Sequence, residues 1–447
     1  MDTFFSLATP PGHGAISIIR ISGPMSLATA SYISKKPKSK FIPKKAIITT
    51  VYKKHKVLID KTIILFFPAP NSYTGDDVIE ISCHGSPFVV DQIIDSIIKF
   101  GIRLSEPGEF TRTAFINGKM DLVQAEAVGN LIRSRAVRAA EINSKTLRGD
   151  LTKNLLRVRT HLVDALSYIE YELDISEDEE INLSTKNKTS PLLLAARNLC
   201  SGLLKSYEEG RLYNHGVRIA IIGKPNVGKS TLLNALVKKN RAITSSVPGT
   251  TRDTVDISFS IRGIPITLVD TAGIRKSKNI VEGLGVERSF FEMDSCDIII
   301  YLFVSDRPVT DNFSFPDKPI LRVINKIDLL DPGHLKRLKR KLGKNVLISA
   351  LLKRGISDLK NVIYKTVRKS VSNKTDVLLT TQRQKVAIKS CIKHIKKSIL
   401  LIKQDSPEFE LICVDIKSSI NSLDGLLGKT TADDILNNIF NNFCVGK

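Results

Sequence analysis

One nine-residue stretch limits what this chain can fold into: Gly223-Lys224-Pro225-Asn226-Val227-Gly228-Lys229-Ser230-Thr231. It fits the phosphate-binding pattern G-x-x-x-x-G-K-[ST]. An apolar run, 217–222, precedes it and reads as a buried strand, and Leu232, Leu233, Ala235 and Leu236 follow at helical spacing. Strand, glycine-rich turn and helix in that order are the context the pattern requires. The glycines let the backbone close around an anion, and the N–H groups of the turn and the helix N-terminus point at it. Lys229 can reach the β- and γ-phosphates, and the Ser230 hydroxyl can ligate Mg²⁺.

Three later segments complete a nucleotide site in order. Asp270-Thr271-Ala272-Gly273 ends the apolar run 264–269; the Asp can hold the Mg²⁺ shell and the Gly can offer its N–H to the γ-phosphate. Asn325-Lys326-Ile327-Asp328 ends the run 320–324. A carboxylate there accepts from both N1–H and the N2 amine of guanine, a donor pair that adenine lacks. Taken alone, Asp328 would read as a solvated turn residue. Ser349-Ala350-Leu351 ends the run 346–348 and resembles a loop that contacts guanine O6. Together the four segments resemble a GTPase of the translation-factor-related class.

The chain has 447 residues, enough for two or three domains with sizeable cores. Its formal net charge of +22 suits an anionic macromolecular partner, most simply RNA, although dispersed lysines can also do no more than solvate a surface. Six scattered cysteines without a C-x-x-C pair argue against a disulfide framework or a zinc site and fit a reducing cytosol. No apolar run reaches membrane-spanning length and the N-terminus lacks a signal-like basic and apolar pattern, so the expected location is cytoplasmic, with no membrane partner.

The expected fold is multidomain α/β: an N-terminal α+β domain (1–118), a helical domain in two halves (119–215 and 373–447), and a Ras-like P-loop GTPase domain (216–372) inserted between them. In the first, 15–21, 46–52, 61–67 and 77–83 read as strands, and 26–34 and 87–100 as helices. Arg20 and Glu80 interrupt apolar strands, and period-two alternation alone places them on the solvent face. His84, without ligand-spaced partners, reads as a hydrogen-bonded turn residue. Beyond Asn117 the spacing is helical. The acidic run 177–180 reads as a solvated connector, and 184–190 as a polar inter-helix loop ended by Pro191. A basic amphipathic helix is expected over 381–401, carrying Lys385, Lys389, Lys393, Lys396 and Lys397.

The whole chain resembles the MnmE (TrmE) family of tRNA-modification GTPases. The resemblance rests on the Thr9–Gly14 turn, Tyr73-Thr74-Gly75, Pro107-Gly108-Glu109-Phe110, the segment Asp121–Ala127, the four nucleotide segments and the tail Phe443-Cys444-Val445-Gly446-Lys447. It implies a homodimer that acts with an MnmG-like flavoprotein, FAD being carried only by that partner, to modify carbon 5 of the wobble uridine in certain tRNAs. A tetrahydrofolate derivative, 5-formyl or methylene, would supply the one-carbon unit. Family folate contacts fall on Arg20, Glu80, Lys119 and Lys447, which lifts the first two above the solvent-face reading. Cys444 matches the tail cysteine near that site, a candidate reactive thiol.

In the GTPase segments the resemblance puts GTP contacts on Asn226, Val227, Gly228, Lys229, Ser230, Thr231, on 245–251, on 270–273, and on Asn325, Lys326, Asp328, Ser349 and Ala350. The first switch segment is Ser245-Ser246-Val247-Pro248-Gly249-Thr250-Thr251-Arg252-Asp253. Mg²⁺ would be held by Ser230 and Thr251. A K⁺ ion would be held by Asn226, Ser245, Val247 and Thr250. Ile274 stands where Ras-like enzymes place a water-orienting Gln; it cannot orient water, so a K⁺ beside the phosphates can act in place of an arginine finger. Glu282 matches the family's catalytic Glu, with Asn226, Lys229 and Thr251 as the other catalytic groups. Ser245, where other members carry Thr, is a mild departure. Two other readings compete: an RNA-binding or ribosome-assembly switch without modification chemistry, and a folate enzyme with a relic GTPase.

Overall fold

The computed structural model describes residues 2–53, 57–175, 179–237, 257–270, 296–305, 318–341, 345–368, 377–430, 433–441, 443 and 446. The chain divides into two compact units. One comprises Met1–Ile132, Thr146–Arg197 and Ser390–Lys447; the other comprises Arg133–Lys145 and Asn198–Lys389.

The first unit begins with a six-stranded sheet. Its strands are β1 (Phe4–Leu7), β2 (Ile16–Ser22), β3 (Ile47–Tyr52), β4 (Leu58–Phe67), β5 (Val78–His84) and β6 (Arg103–Leu104), in the order β3-β4-β5-β2-β1-β6. All neighbours are antiparallel except β1 and β6. Helices α1 (Ser26–Ser34) and α2 (Pro87–Lys99) cover the face formed by Ile19, Ile21, Ile64, Ile79 and Ile81, and bury Ile33, Ile93 and Ile97 against it. The expected strands and both helices are present. The short β1 and β6, and α3 (Glu109–Ile116), carry too few residues to show a period and were not anticipated.

The same unit continues in α4 (Leu122–Ile132), the end of α5 (Val137–Leu147) and α6 (Asp150–Ile175). Then come the first part of α7 (Glu179–His215) and, after the second unit, three C-terminal helices. Leu151, Leu155, Val158, Leu162, Ala165 and Ile169 form the buried seam of α6. The expected loop over 184–190 is wrong. Helix α7 runs from Glu179 through Pro191 without a break, and it takes in the end of the acidic run. Thr185, Thr189, Leu193, Ala196 and Cys200 are all buried and recur every three or four residues across the proline. Proline costs that helix one backbone bond. The buried seam, and the Thr185 hydroxyl donating to Glu172 at 2.6 Å, override the local breaker.

The second unit holds a second six-stranded sheet: β7 (Val217–Ile222), β8 (Ile257–Ile261), β9 (Ile264–Asp270), β10 (Ile298–Val304), β11 (Ile320–Asn325) and β12 (Val346–Leu347). The order is β12-β11-β10-β7-β9-β8, parallel except for the β8–β9 hairpin. Helices α8 (Lys229–Val237), α9 (Pro332–Lys341) and α10 (Ile356–Arg368) accompany it. These strands read as near-continuous apolar runs because a parallel sheet is covered on both faces. Strand β7 has β9 on one side and β10 on the other, so the strand order reverses there. In open α/β sheets, ligands bind outside the carboxyl ends of the strands at such a point. The phosphate-loop sequence leaves β7 at that position.

The C-terminal helices are α11 (Gln382–Leu401), α12 (Phe409–Leu427) and α13 (Asp433–Phe440). Within the first unit, Arg159 of α6 makes a two-pronged pair with Asp424 of α12, at 2.7 and 3.1 Å. Leu122, Ala125, Val128, Leu436, Phe440 and Phe443 form a small core, so the tail is seated on α4. Among the described residues no helix is long and apolar enough to cross a membrane.

Candidate nucleotide site

The loop after β7 is shaped by close backbone approaches that exclude side chains. A Cβ on Gly223 would lie 2.1 Å from the Leu302 carbonyl oxygen. Gly228 has φ +97°, and a Cβ there would lie 2.4 Å from Asn325 Nδ2. Asn226 takes φ +63°, the left-handed region that Asn tolerates better than most residues. Val227 is buried, whereas Asn226, Ser230 and Thr231 are exposed at the loop and the start of α8. The Lys229 ammonium lies across the loop, donating to the carbonyls of Gly223 at 2.7 Å and Lys224 at 3.1 Å.

Asn325 locks this loop to the other two segments of the site. It is 3% exposed. Its Nδ2 donates to the Val227 carbonyl at 2.8 Å, and its Oδ1 accepts from the Ala350 N–H at 2.9 Å. One side chain therefore fixes the spacing between the phosphate loop and the Ser349–Ala350 loop. Ser349 is fully buried, and its hydroxyl accepts from the Leu352 N–H at 3.1 Å. Lys326 has φ +62°, which turns the chain so that the Ile327 N–H donates to the Ile348 carbonyl at 3.2 Å.

Asp328 follows, and its Oδ1 is buried without a hydrogen-bond partner among the described residues. A buried polar atom left unpaired costs about 1–3 kcal/mol, so an acceptor in this state suits a ligand that brings a donor. Pro225, Asn226, Ser305, Asn325, Lys326 and Leu329 line a cavity of about 280 Å³ between the phosphate loop and this turn. Ser305 and Leu329 were not anticipated, since neither belongs to a motif. The arrangement fits a guanine nucleotide, with backbone donors and Lys229 for the phosphates and a carboxylate for the base. The Ser230 hydroxyl stands where a phosphate-bound Mg²⁺ can take it.

Several expected contributors lie outside the described residues: 245–251, Thr271, Ala272, Gly273, Ile274, Glu282, Cys444 and Lys447. Asp270 ends β9, beside β7, but its side chain is also outside them.

The N-terminal sheet carries a second polar cluster, and it corrects the solvent-face reading of Arg20 and Glu80. They are cross-strand partners on β2 and β5. Arg20 Nη2 lies 2.7 Å from Glu80 Oε1, with side chains 16% and 20% exposed. Arg20 also stacks on the rings of Tyr73 and Phe110, at 5.5 and 5.6 Å. The rings cover the face that alternation alone leaves to solvent, and both come from segments distant in sequence. Arg20 Nη1 is buried and unpartnered among the described residues, which suits a ligand carrying an anionic or carbonyl oxygen. Burial pushes the Tyr73 phenol up, while its bond to the Thr111 hydroxyl, at 2.9 Å, pulls the other way. Lys119 is nearby in sequence but donates to the Pro70 carbonyl at 2.9 Å. The end of the chain reaches the same unit: a Cβ on Gly446 would lie 2.5 Å from the Leu7 carbonyl oxygen. His84 is hydrogen-bonded, its Nδ1 2.7 Å from Asp60.

Two family profiles match the chain: the MnmE helical domain over residues 122–444, and the N-terminus of the GTP-binding protein TrmE over residues 3–119. Among curated proteins, the tRNA modification GTPase MnmE of Thermotoga maritima is 38% identical over 456 residues, covering all of both chains. That of Pseudothermotoga lettingae is 40% identical with the same coverage. Among solved structures, an Era variant from Aquifex aeolicus bound to GDP.AlF4- is 29% identical. It covers 43% of this chain and 69% of that one, at a TM-score of 0.27.

Proposed function

The chain belongs to the MnmE (TrmE) family of tRNA modification GTPases, and from that premise we propose how its residues divide the work. It is a GTP-hydrolysing enzyme of tRNA modification. The observation that carries the nucleotide assignment is the buried Asp328 oxygen, without a hydrogen-bond partner among the described residues, beside a phosphate loop locked by Asn325. Asp328 selects guanine. Lys229 and the N–H groups of 226–231 hold the phosphates. Ser230 and Thr251 would hold Mg²⁺, with Asp270 supporting it. A water attacks the γ-phosphorus in line and GDP leaves, so the protein's part is positioning and charge stabilisation.

Without a water-orienting Gln after Gly273, that charge needs another counterion. We assign it to K⁺, held by Asn226, Ser245, Val247 and Thr250. When bound, it would supply positive charge beside the phosphates. Glu282 positions the attacking water through a second water. Arg20, Glu80, Lys119 and Lys447 would hold a tetrahydrofolate derivative, and the Arg20 nitrogen left without a partner among the described residues supports that reading. Cys444, between Phe443 and Gly446 in the sequence, is the candidate reactive thiol for that chemistry. The protein works as a homodimer in the cytoplasm. It acts with an MnmG-like flavoprotein that carries FAD, on carbon 5 of the wobble uridine in tRNA.

The test is GTP hydrolysis in KCl and in NaCl at equal ionic strength. Strong stimulation by K⁺ is expected; equal rates would remove the cation mechanism. Glu282→Ala slows hydrolysis and leaves nucleotide affinity intact, whereas a collapse of affinity would make Glu282 structural.

A further inference from the structure

Helix α11 stands out by charge. Between Val377 and Gln404 the chain carries Arg383, Lys385, Lys389, Lys393, Lys396, Lys397 and Lys403, and no carboxylate. Its inner face is apolar: Ile388, Cys391, Ile392, Ile395, Ile399 and Ile402 are buried at helical spacing. That burial fixes the helix rotation, so Lys389, Lys393, Lys396 and Lys397, at i, i+4, i+7 and i+8, share the opposite face. All four are exposed. They occupy about 12 Å of helix.

The acids that could neutralise them are engaged elsewhere or lie beyond the helix end. Glu208 pairs with Lys385 at 3.3 Å. Asp415, from the packed helix α12, pairs with His394 at 2.7 Å. On the same α12, Glu410 sits at the first turn and Asp424 pairs with Arg159. Asp405 and Glu408 follow the last turn of α11 and screen Lys403, not the middle of the helix. No ion pair holds the four lysines among the described residues, and repulsion along such a face is unfavourable unless an anion relieves it.

We propose that the Lys389–Lys397 face of α11 is a docking surface for the phosphate backbone of the substrate tRNA. This rests on the tRNA-modification reading above. Lysine is a flexible point charge without the planar fork of Arg, so this surface supplies affinity and orientation through phosphates more than sequence choice. Its place on the helical part of the chain, away from the nucleotide loops in sequence, lets tRNA be held through a GTPase cycle.

The experiment uses the full-length protein and an unmodified tRNA transcript, with binding read by fluorescence anisotropy across a KCl series. The variants are Lys393→Gln/Lys396→Gln/Lys397→Gln and the same three positions changed to Arg. The Gln variant is expected to bind about tenfold or more weakly, with the slope of log affinity against log salt shallower by about 2–3. The Arg variant keeps both, and GTP hydrolysis without tRNA is unchanged in all three proteins. Unchanged tRNA affinity and salt slope in the Gln variant would overturn the proposal. Loss of flavoprotein binding with tRNA binding intact would overturn it too, and would give the face to an acidic protein partner. Failure of the unaltered protein to bind tRNA at any salt would instead strike at the tRNA-modification reading.

Discussion

Replacing Asn325 with Ala tests whether one side chain sets the geometry of the nucleotide site. The side chain is 3% exposed and makes two buried bonds, to the Val227 carbonyl at 2.8 Å and from the Ala350 N–H at 2.9 Å. Truncation leaves both backbone groups unpaired in the interior. Each such group costs about 1–3 kcal/mol, so the pair costs about 4 kcal/mol. If the loss falls wholly on stability, the unfolding midpoint of a unit this size drops by about 8–16 °C. If the folded unit survives and the two loops drift apart, the loss falls on binding, where about 4 kcal/mol is nearly a thousandfold in GDP affinity. Scanning calorimetry and titration with a fluorescent GDP, run on the same preparation, apportion the two. The reasoning fails if Asn325→Ala binds GDP within twofold of the unaltered protein and unfolds within a degree or two of it.

Gly228→Ala forces φ +97° on a side chain and puts its Cβ 2.4 Å from Asn325 Nδ2, so it should displace Asn325 and match the loss seen in Asn325→Ala. The double variant should be barely worse than either single one, a non-additivity read by the same titration. Asp328→Asn should move preference from GTP toward xanthosine triphosphate, because the amide offers a donor where guanine also presents one; unchanged GTP selectivity in a competition assay removes Asp328 from base recognition. Partial desolvation holds His215 below its ordinary 6.5, with Thr380 pulling it up and Arg211 and Arg133 pushing it further down; the residue is exposed, so solvent screening keeps the effect small. The unfolded chain therefore binds that proton first: stability from this group is fully present above pH 6.5 and is lost as pH falls through the lowered folded value. Denaturation midpoints from pH 8 to 5.5 should fall, and His215→Asn should flatten the decline.

The nucleotide site was legible because its chemistry is written in contiguous residues. A loop that must wrap an anion needs Gly223 and Gly228 at fixed spacing, and both glycines prove to be where other backbone or side-chain atoms leave no room for a Cβ. Arg20 was legible only through the family resemblance, not from its strand. Alternation reports which side of β2 a residue faces, but not that Tyr73 and Phe110 come back across that side. Pro191 misled for the reverse reason: a local breaker was weighed without the packing that buries Thr189 and Leu193 on either side of it.

The least visible feature is where packing, not composition, groups the chain. Arg133–Lys145 and Asn198–His215 cluster with the nucleotide-binding sheet. Within that unit Arg135 donates to Ser258 of β8 at 2.9 Å, and Asn143 donates to Asn214 of α7 at 3.0 Å. Gly210 of α7 has no Cβ, which lets the Leu379 carbonyl oxygen stand 2.0 Å from where one would be. Helices α7 and α11 therefore begin in one unit and end in the other. Continuous helices are stiffer than loops, and their hydrogen bonds resist a bend at any one residue. The boundary between the two units therefore falls inside helical pattern, which is why no composition shift marks it in the sequence.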